Sequence, residues 1–133
     1  MKIIVSSHSN LAYGLRETLL FIGSDISNIE FIVLDNQGVQ DFEERVKKVF
    51  DKIFDEEVLV FTDIFGGTPY NVFAKEILQR KIKGEIISGF NVTMIIHALS
   101  VDTISEMLEE LKEDNGIKIY SEELKNICDF DDE

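Results

Sequence analysis

The sequence predicts an α/β fold, an open and mainly parallel sheet with helices on both faces. Three observations carry this. Short runs rich in β-branched residues recur at Ile3–Ser7, Ile29–Leu34, Val58–Phe61 and Glu85–Ser88. The segments between them repeat apolar residues at the helical period. The two types alternate in the order β-α-β-α-β-α-β-α-α, the pattern of a parallel sheet built with crossover helices.

The first helix begins near Ser9 and carries Leu11, Leu15, Leu19 and Ile22 on one face. Ile29 to Leu34 is a β-branched and aromatic run suited to a strand. Val39, Phe42, Val46, Val49, Phe50 and Ile53 mark the second helix. After Asp63 a helix runs from about Pro69 to Gln79, then a strand over Glu85–Ser88 and a helix over Asn91–Leu99. Ile104, Met107, Leu108 and Leu111 mark one more helix, capped by Asp102 or Thr103. Gly116–Tyr120 reads as a late edge strand whose direction the sequence does not give.

At 133 residues the chain is expected to form a single domain spanning 1–133. Its 26 acidic residues against 13 basic ones leave a formal charge of -13. Nucleic acid is thereby disfavoured as a partner, since phosphate binding needs clustered Lys and Arg. A basic protein would be steered in by this field, although solubility alone also accounts for an acidic surface. Cys128 is the one cysteine, so neither an intrachain disulfide nor a thiolate metal cluster is expected. Met1-Lys2 opens directly into a strand pattern without signal-peptide features. The most apolar stretch, Ile86–Val101, is broken by Ser88, Asn91, Thr93 and His97 and is too short to span a bilayer. The expected location is cytoplasmic. Residues 128–133, four of the six acidic, are expected to form a solvated tail.

His8 directly follows the first apolar run, and Thr62-Asp63 ends the third. Groups at the carboxyl ends of parallel strands converge on one crevice, so an imidazole and a carboxylate can meet there. Gly66-Gly67-Thr68-Pro69 adds a sharp turn, with Thr68 as the expected N-cap and Pro69 at the first helical position. Such a turn presents backbone N–H groups and a positive helix end to an anion. Taken alone, it is equally a well-capped helix start.

A neutral imidazole attacks a phosphoryl group through Nε2 when a carboxylate holds the proton on Nδ1. His8 is the candidate nucleophile, Asp63 its orienting partner, and Gly67, Thr68 and Ser9 the candidate phosphate contacts. No metal or cofactor is required by this chemistry. Competing chemistries fit less well. A receiver domain needs an acidic pair where Ser7-His8-Ser9 stands. A Ser-His-Asp hydrolase lacks a GxSxG elbow. Zinc would have to take most of its ligands from Asp or Glu, because His97 is the only other histidine and is expected to pack on a helix or an interface. Neither common nucleotide motif is present.

These residues resemble the IIA domain of the mannose-fructose-sorbose family of the bacterial phosphoenolpyruvate-dependent sugar phosphotransferase system (PTS). The resemblance lies in three motifs in register: Ile3-Ile4-Val5-Ser6-Ser7-His8, Asp63-Ile64-Phe65-Gly66-Gly67-Thr68-Pro69-Tyr70-Asn71 and Gly89-Phe90-Asn91-Val92-Thr93-Met94. It implies a phosphocarrier in which His8 receives a phosphoryl group from phospho-HPr and passes it to a histidine of the IIB component. Asp63 would orient the histidine and Thr68 would contact the phosphate. It further implies a homodimer exchanging a late strand, for which Ile117–Tyr120 is the candidate, and an indirect link to the membrane sugar-transport components. The IIB component would be a separate chain or a further domain. Ser9 departs from the glycine of many members, and Thr93 from their proline. Ser9 is similar instead to the phosphocarrier subunit of dihydroxyacetone kinase, although the Gly-Gly-Thr-Pro turn favours the sugar system. A regulatory module read through phospho-His8 is the alternative from another class.

Overall fold

The computed structural model describes the backbone of residues 1–131 and the side chains of residues 1–127. The elements run β1 (Lys2–His8), α1 (Leu11–Phe21), β2 (Ile29–Leu34), α2 (Val39–Phe50), β3 (Val58–Thr62), α3 (Thr68–Arg80), β4 (Gly84–Ser88), α4 (Val92–Leu99), α5 (Ile104–Glu113) and α6 (Tyr120–Asp131). The four strands form one sheet in the order β2-β1-β3-β4, and every pairing is parallel. The expected α/β class and element order are therefore present, with α6 added.

Strands buried on both faces need apolar residues at consecutive positions, and Val58, Leu59, Val60 and Phe61 of β3 are all fully buried. Successive side chains point to opposite faces. Ile3, Val5, Leu59 and Phe61 thus join Ala12, Leu15, Leu19, Ile95 and Met107 beneath α1, α4 and α5. Ile4, Val58 and Val60 join Phe42, Val46, Phe50 and Phe73 beneath α2 and α3. Phe42 meets Phe73 edge-on at 6.1 Å between ring centroids. Each such buried side chain contributes about 1.5–3 kcal/mol.

From β1 the chain turns to β2 on one side, then crosses to β3 on the other. The strand order reverses between β1 and β3, so their following loops diverge and open a crevice. His8 closes β1, and Asp63 follows β3 directly.

Helix starts differ from expectation in two places. Helix α1 opens at Leu11 rather than Ser9, because Ser9 is in the left-handed region with φ 53°. Gly67, not Thr68, is the N-cap of α3; Thr68 and Pro69 are already helical. Of the two expected caps of α5, Asp102 and Thr103, it is Thr103 that accepts the Glu106 N–H, at 3.1 Å.

The expected late strand is not joined to this chain's sheet: residues 114–119 run without regular structure and Tyr120 opens α6. Ile117, Ile119 and Tyr120 are 69%, 53% and 80% exposed. Glu122 and Glu123 in the first turn of α6 suit the positive end of its dipole. Of the expected tail, residues 128–131 have helical backbone, while 132–133 and the side chains of 128–133, Cys128 included, lie outside the described residues. Among the described residues no helix is long and apolar enough to cross a membrane.

Candidate functional site

The structure brings His8 and Asp63 into contact at the point where the strand order reverses. Asp63 Oδ2 lies 2.9 Å from His8 Nδ1 and accepts the His8 backbone N–H at 3.0 Å. Asp63 Oδ1 accepts the Ile64 N–H at 3.0 Å. Burial pushes the Asp63 carboxyl up, but the His8 backbone N–H, the His8 ring and the Ile64 N–H outweigh it and hold the group below its ordinary value. An ionised carboxylate is an acceptor only, so Nδ1 must donate the proton. A ring carrying that one proton keeps its lone pair on Nε2.

That free edge faces the glycine turn. A Cβ built on Gly67 would stand 2.9 Å from His8 Cε1 and 3.5 Å from Nε2. Only a glycine lets the ring lie there undisturbed. Gly67 donates its own N–H to the Ile64 carbonyl at 3.2 Å, so its place in the site is the space it leaves. Donors come from the next residues. Thr68 begins the helix, and the N–H groups of a first turn have no intrahelical acceptor. Pro69 has no N–H to contribute. The Thr68 hydroxyl and the N–H groups of Thr68 and Tyr70 therefore make up the open end of α3.

Asn71 braces this turn, a role the sequence alone did not reveal. Its side-chain amide donates to the Gly66 carbonyl at 3.1 Å and its backbone N–H to the Gly67 carbonyl at 3.0 Å. Gly66 takes φ 76°, where a side chain would be strained. Ser7 is a second residue that sequence reasoning missed. It is fully buried, and its hydroxyl accepts the Ala12 N–H at 2.8 Å and donates to the Ser9 carbonyl at 3.2 Å. Ser9 itself is exposed, with its N–H donated to the Leu34 carbonyl at 2.7 Å. Its hydroxyl is the group it could offer a ligand.

The His8 side chain is 40% exposed, whereas that of Asp63 is 8% exposed. One partner is reachable and the other sheltered. Around them stands an apolar rim, with Leu11, Ile64 and Phe65 exposed at 57%, 57% and 75%. Phe65 is held edge-on to Tyr70 at 4.9 Å. A groove of about 600 Å³ continues from this rim between α1 and the start of α4, lined by Leu11, Leu15, Phe90 and Val92.

The third motif serves the fold. Asn91 caps α4 by accepting the Met94 N–H at 2.8 Å, and its amide donates to the Asn115 carbonyl at 2.9 Å. Thr93 occupies the second helical position of α4, whose N–H has no intrahelical acceptor, so threonine and proline are both accommodated. His97 has partners other than the His8–Asp63 pair. Its Nε2 lies 3.0 Å from Asp114 and its Nδ1 3.7 Å from Glu110, which ties α4 to the end of α5.

The arrangement suits a nucleophilic imidazole whose Nδ1 is engaged by a carboxylate and whose ring lies against Gly67 at the start of α3. The chain as a whole is similar to known proteins. The chain is 27% identical over 130 residues to the PTS system fructose-specific EIIA component of Bacillus subtilis (strain 168), covering 96% of this chain and 86% of that protein. It is 25% identical over 121 residues to the PTS system sorbose-specific EIIA component of Lacticaseibacillus casei, covering 86% and 87% of the two. The crystal structure of phosphotransferase system component EIIA from Streptococcus agalactiae shares the fold. It superposes with a TM-score of 0.79 at 23% identity, covering 90% of this chain and 97% of that one. Residues 2–115 match the family model for the PTS system fructose IIA component, and the chain belongs to that family, the IIA components of the mannose-fructose-sorbose type.

Proposed function

We propose that the protein is a phosphocarrier of sugar uptake: His8 Nε2 accepts a phosphoryl group from phospho-HPr and gives it to a histidine of the IIB component. The observation that carries this reading is the hydrogen bond of His8 Nδ1 to Asp63 Oδ2 at 2.9 Å. It reserves Nε2 for phosphorus. As the P–N bond to Nε2 forms, the P–N bond of the donor histidine breaks, and the Nδ1 proton stays on the ring. The imidazole gains positive charge in this step, which the Asp63 carboxylate offsets. The Thr68 hydroxyl and the free N–H groups of α3 receive the phosphoryl oxygens, Ser9 adds a hydroxyl, and Gly67 leaves room for the ring that carries the group. Because reversal uses the same groups, acceptance and release are equally served.

The apolar rim supports a protein rather than a sugar as the partner, since exposed apolar patches mark protein contacts. Such a carrier works in the cytoplasm, beside the membrane components. Incubation with Enzyme I, HPr and phosphoenolpyruvate tests the reading through intact mass and acid lability. One phosphoryl group, lost in acid and absent in His8→Ala, is expected. Equal labelling of His8→Ala would end it.

The same reading includes a homodimer formed by exchange of the segment around Ile117–Tyr120. It is supported by the open edge of β4 and by the exposure of Ile117, Ile119 and Tyr120. Sedimentation at micromolar concentration is expected to give twice the chain mass, and a clean monomer would contradict the exchange.

A further inference from the structure

We infer that Ser7 is a positioning residue for His8, acting through the turn that follows it. The kinetic consequences rest on the phosphocarrier reading, but the geometry stands alone. Helix α1 receives no hydrogen bond from the side chain of its N-cap Asn10. The strand supplies the cap instead. The fully buried Ser7 hydroxyl accepts the Ala12 N–H at 2.8 Å and donates to the Ser9 carbonyl at 3.2 Å. Between those two bonds lies Ser9, held at φ 53°, a conformation that costs any residue with a Cβ.

Successive strand residues face opposite sides of the sheet. Ser7 therefore reaches the α1 side, and His8 the α3 side, where its ring meets Gly67. His8 is gripped before and after its Cα: Asp63 Oδ2 takes its own N–H at 3.0 Å, and Ser7 anchors the carbonyl of the residue that follows. Without the hydroxyl, Ser9 would relax from its left-handed turn, and the His8 backbone would rotate with it. The imidazole would then lose its setting between Asp63 and Gly67. A serine that merely satisfied a buried N–H would lower stability and leave the ring where it is.

Ser7→Ala is to be compared with the parent by ¹⁵N spectra of the His8 ring and by the kinetics of transfer from phospho-HPr. Expected are a mixture of ring tautomers in place of one, and a kcat lower on the order of tenfold with KM unchanged, the scale set by sub-ångström misplacement of a reacting group. Adding Ser9→Gly should return the ring spectrum to a single tautomer, because glycine takes the left-handed turn without strain. A Ser7→Ala protein with the parent's ring spectrum and kcat would overturn the inference. So would a folded double variant whose ring spectrum stays mixed. If Ser7→Ala does not fold, Ser7→Thr decides: with the hydroxyl retained it should match the parent, and a tenfold loss would refute the role. The ring spectrum needs no phosphoryl donor. A parent that is never phosphorylated would sink the carrier reading, while the tautomer comparison would still decide whether Ser7 positions the ring.

Discussion

Gly67→Ala separates the reactivity of His8 from the stability of the fold. Gly67 has φ -73° and ψ 174°, values that alanine adopts freely, so the backbone has no reason to move. The new methyl, however, would stand 2.9 Å from His8 Cε1, where carbon atoms prefer separations of about 3.5–4.0 Å. The ring must withdraw by about 0.6–1 Å to restore that contact. Its bond to Asp63, 2.9 Å long, would then stretch or bend beyond good geometry. A hydrogen bond to a charged group contributes about 1.5–3 kcal/mol, and each 1.4 kcal/mol is about tenfold in rate. Transfer from phospho-HPr should fall roughly 10- to 100-fold. Alanine is a poorer N-cap than glycine, which costs about 0.5–1 kcal/mol and lowers Tm by a few degrees. Gly66→Ala is the control. With φ 76° and no atom within 4 Å of its Cβ, it should lose about 1–2 kcal/mol of stability and leave the ring in place. Rapid-quench transfer assays beside thermal unfolding read both quantities. A Gly67→Ala protein that transfers at the parent's rate would refute the packing argument.

Further consequences concern Asp63 and Ser9. The Asp63 carboxyl lies below its ordinary value when folded, so its stabilisation is complete above about pH 5 and fades as pH falls through the folded pKa. The stability gap between the parent and Asp63→Ala, measured by thermal unfolding, should therefore narrow between about pH 5 and pH 3; a gap that stays constant would contradict it. Ser9→Gly should raise stability by about 0.5 kcal/mol, since relief of about 1 kcal/mol of left-handed strain exceeds the added flexibility of the unfolded chain. Urea unfolding measures it, and a loss of stability would show that the Ser9 side chain contributes more than its turn costs.

The strands and the pairing of His8 with Asp63 were legible because parallel strands are apolar along their whole length and end abruptly. Val5 to His8 and Phe61 to Asp63 each pass from core to polar residue within a few positions. The cap of α3 was misplaced by one residue because threonine is the better N-cap by composition, while the Gly66–Gly67 bend decides where helical dihedrals begin. The space left by Gly67 was not legible, since it depends on a ring brought in from β1. Ser7 was hidden for a similar reason: a hydroxyl within an apolar run gives no sign of the turn it holds. The departure at Ser9 becomes intelligible at φ 53°, where the glycine of other family members would be unstrained. Helix α6 went unread because its exposed stripe of Tyr120, Leu124 and Ile127 follows a segment that looked like a strand.

The way Asp63 is engaged also bears on whether phospho-His8 would be spent on water. General-base help accelerates such steps by about 100- to 10,000-fold, and the base must have an oxygen free to take the proton. Asp63 Oδ2 is held by the His8 backbone N–H and faces Nδ1, and Oδ1 is held by the Ile64 N–H. A carboxylate so occupied orients the ring but is poorly placed to activate water, and its depressed pKa makes it a weaker base. The phosphoryl group should then wait on Nε2 for an acceptor that brings its own nucleophile. Phosphoprotein freed of HPr at neutral pH and followed by intact mass should lose its label at least about 100-fold more slowly than a partner histidine removes it. Loss to water as fast as transfer would mean that another group activates water at this site, and the protein would be a phosphatase of its own histidine rather than a carrier.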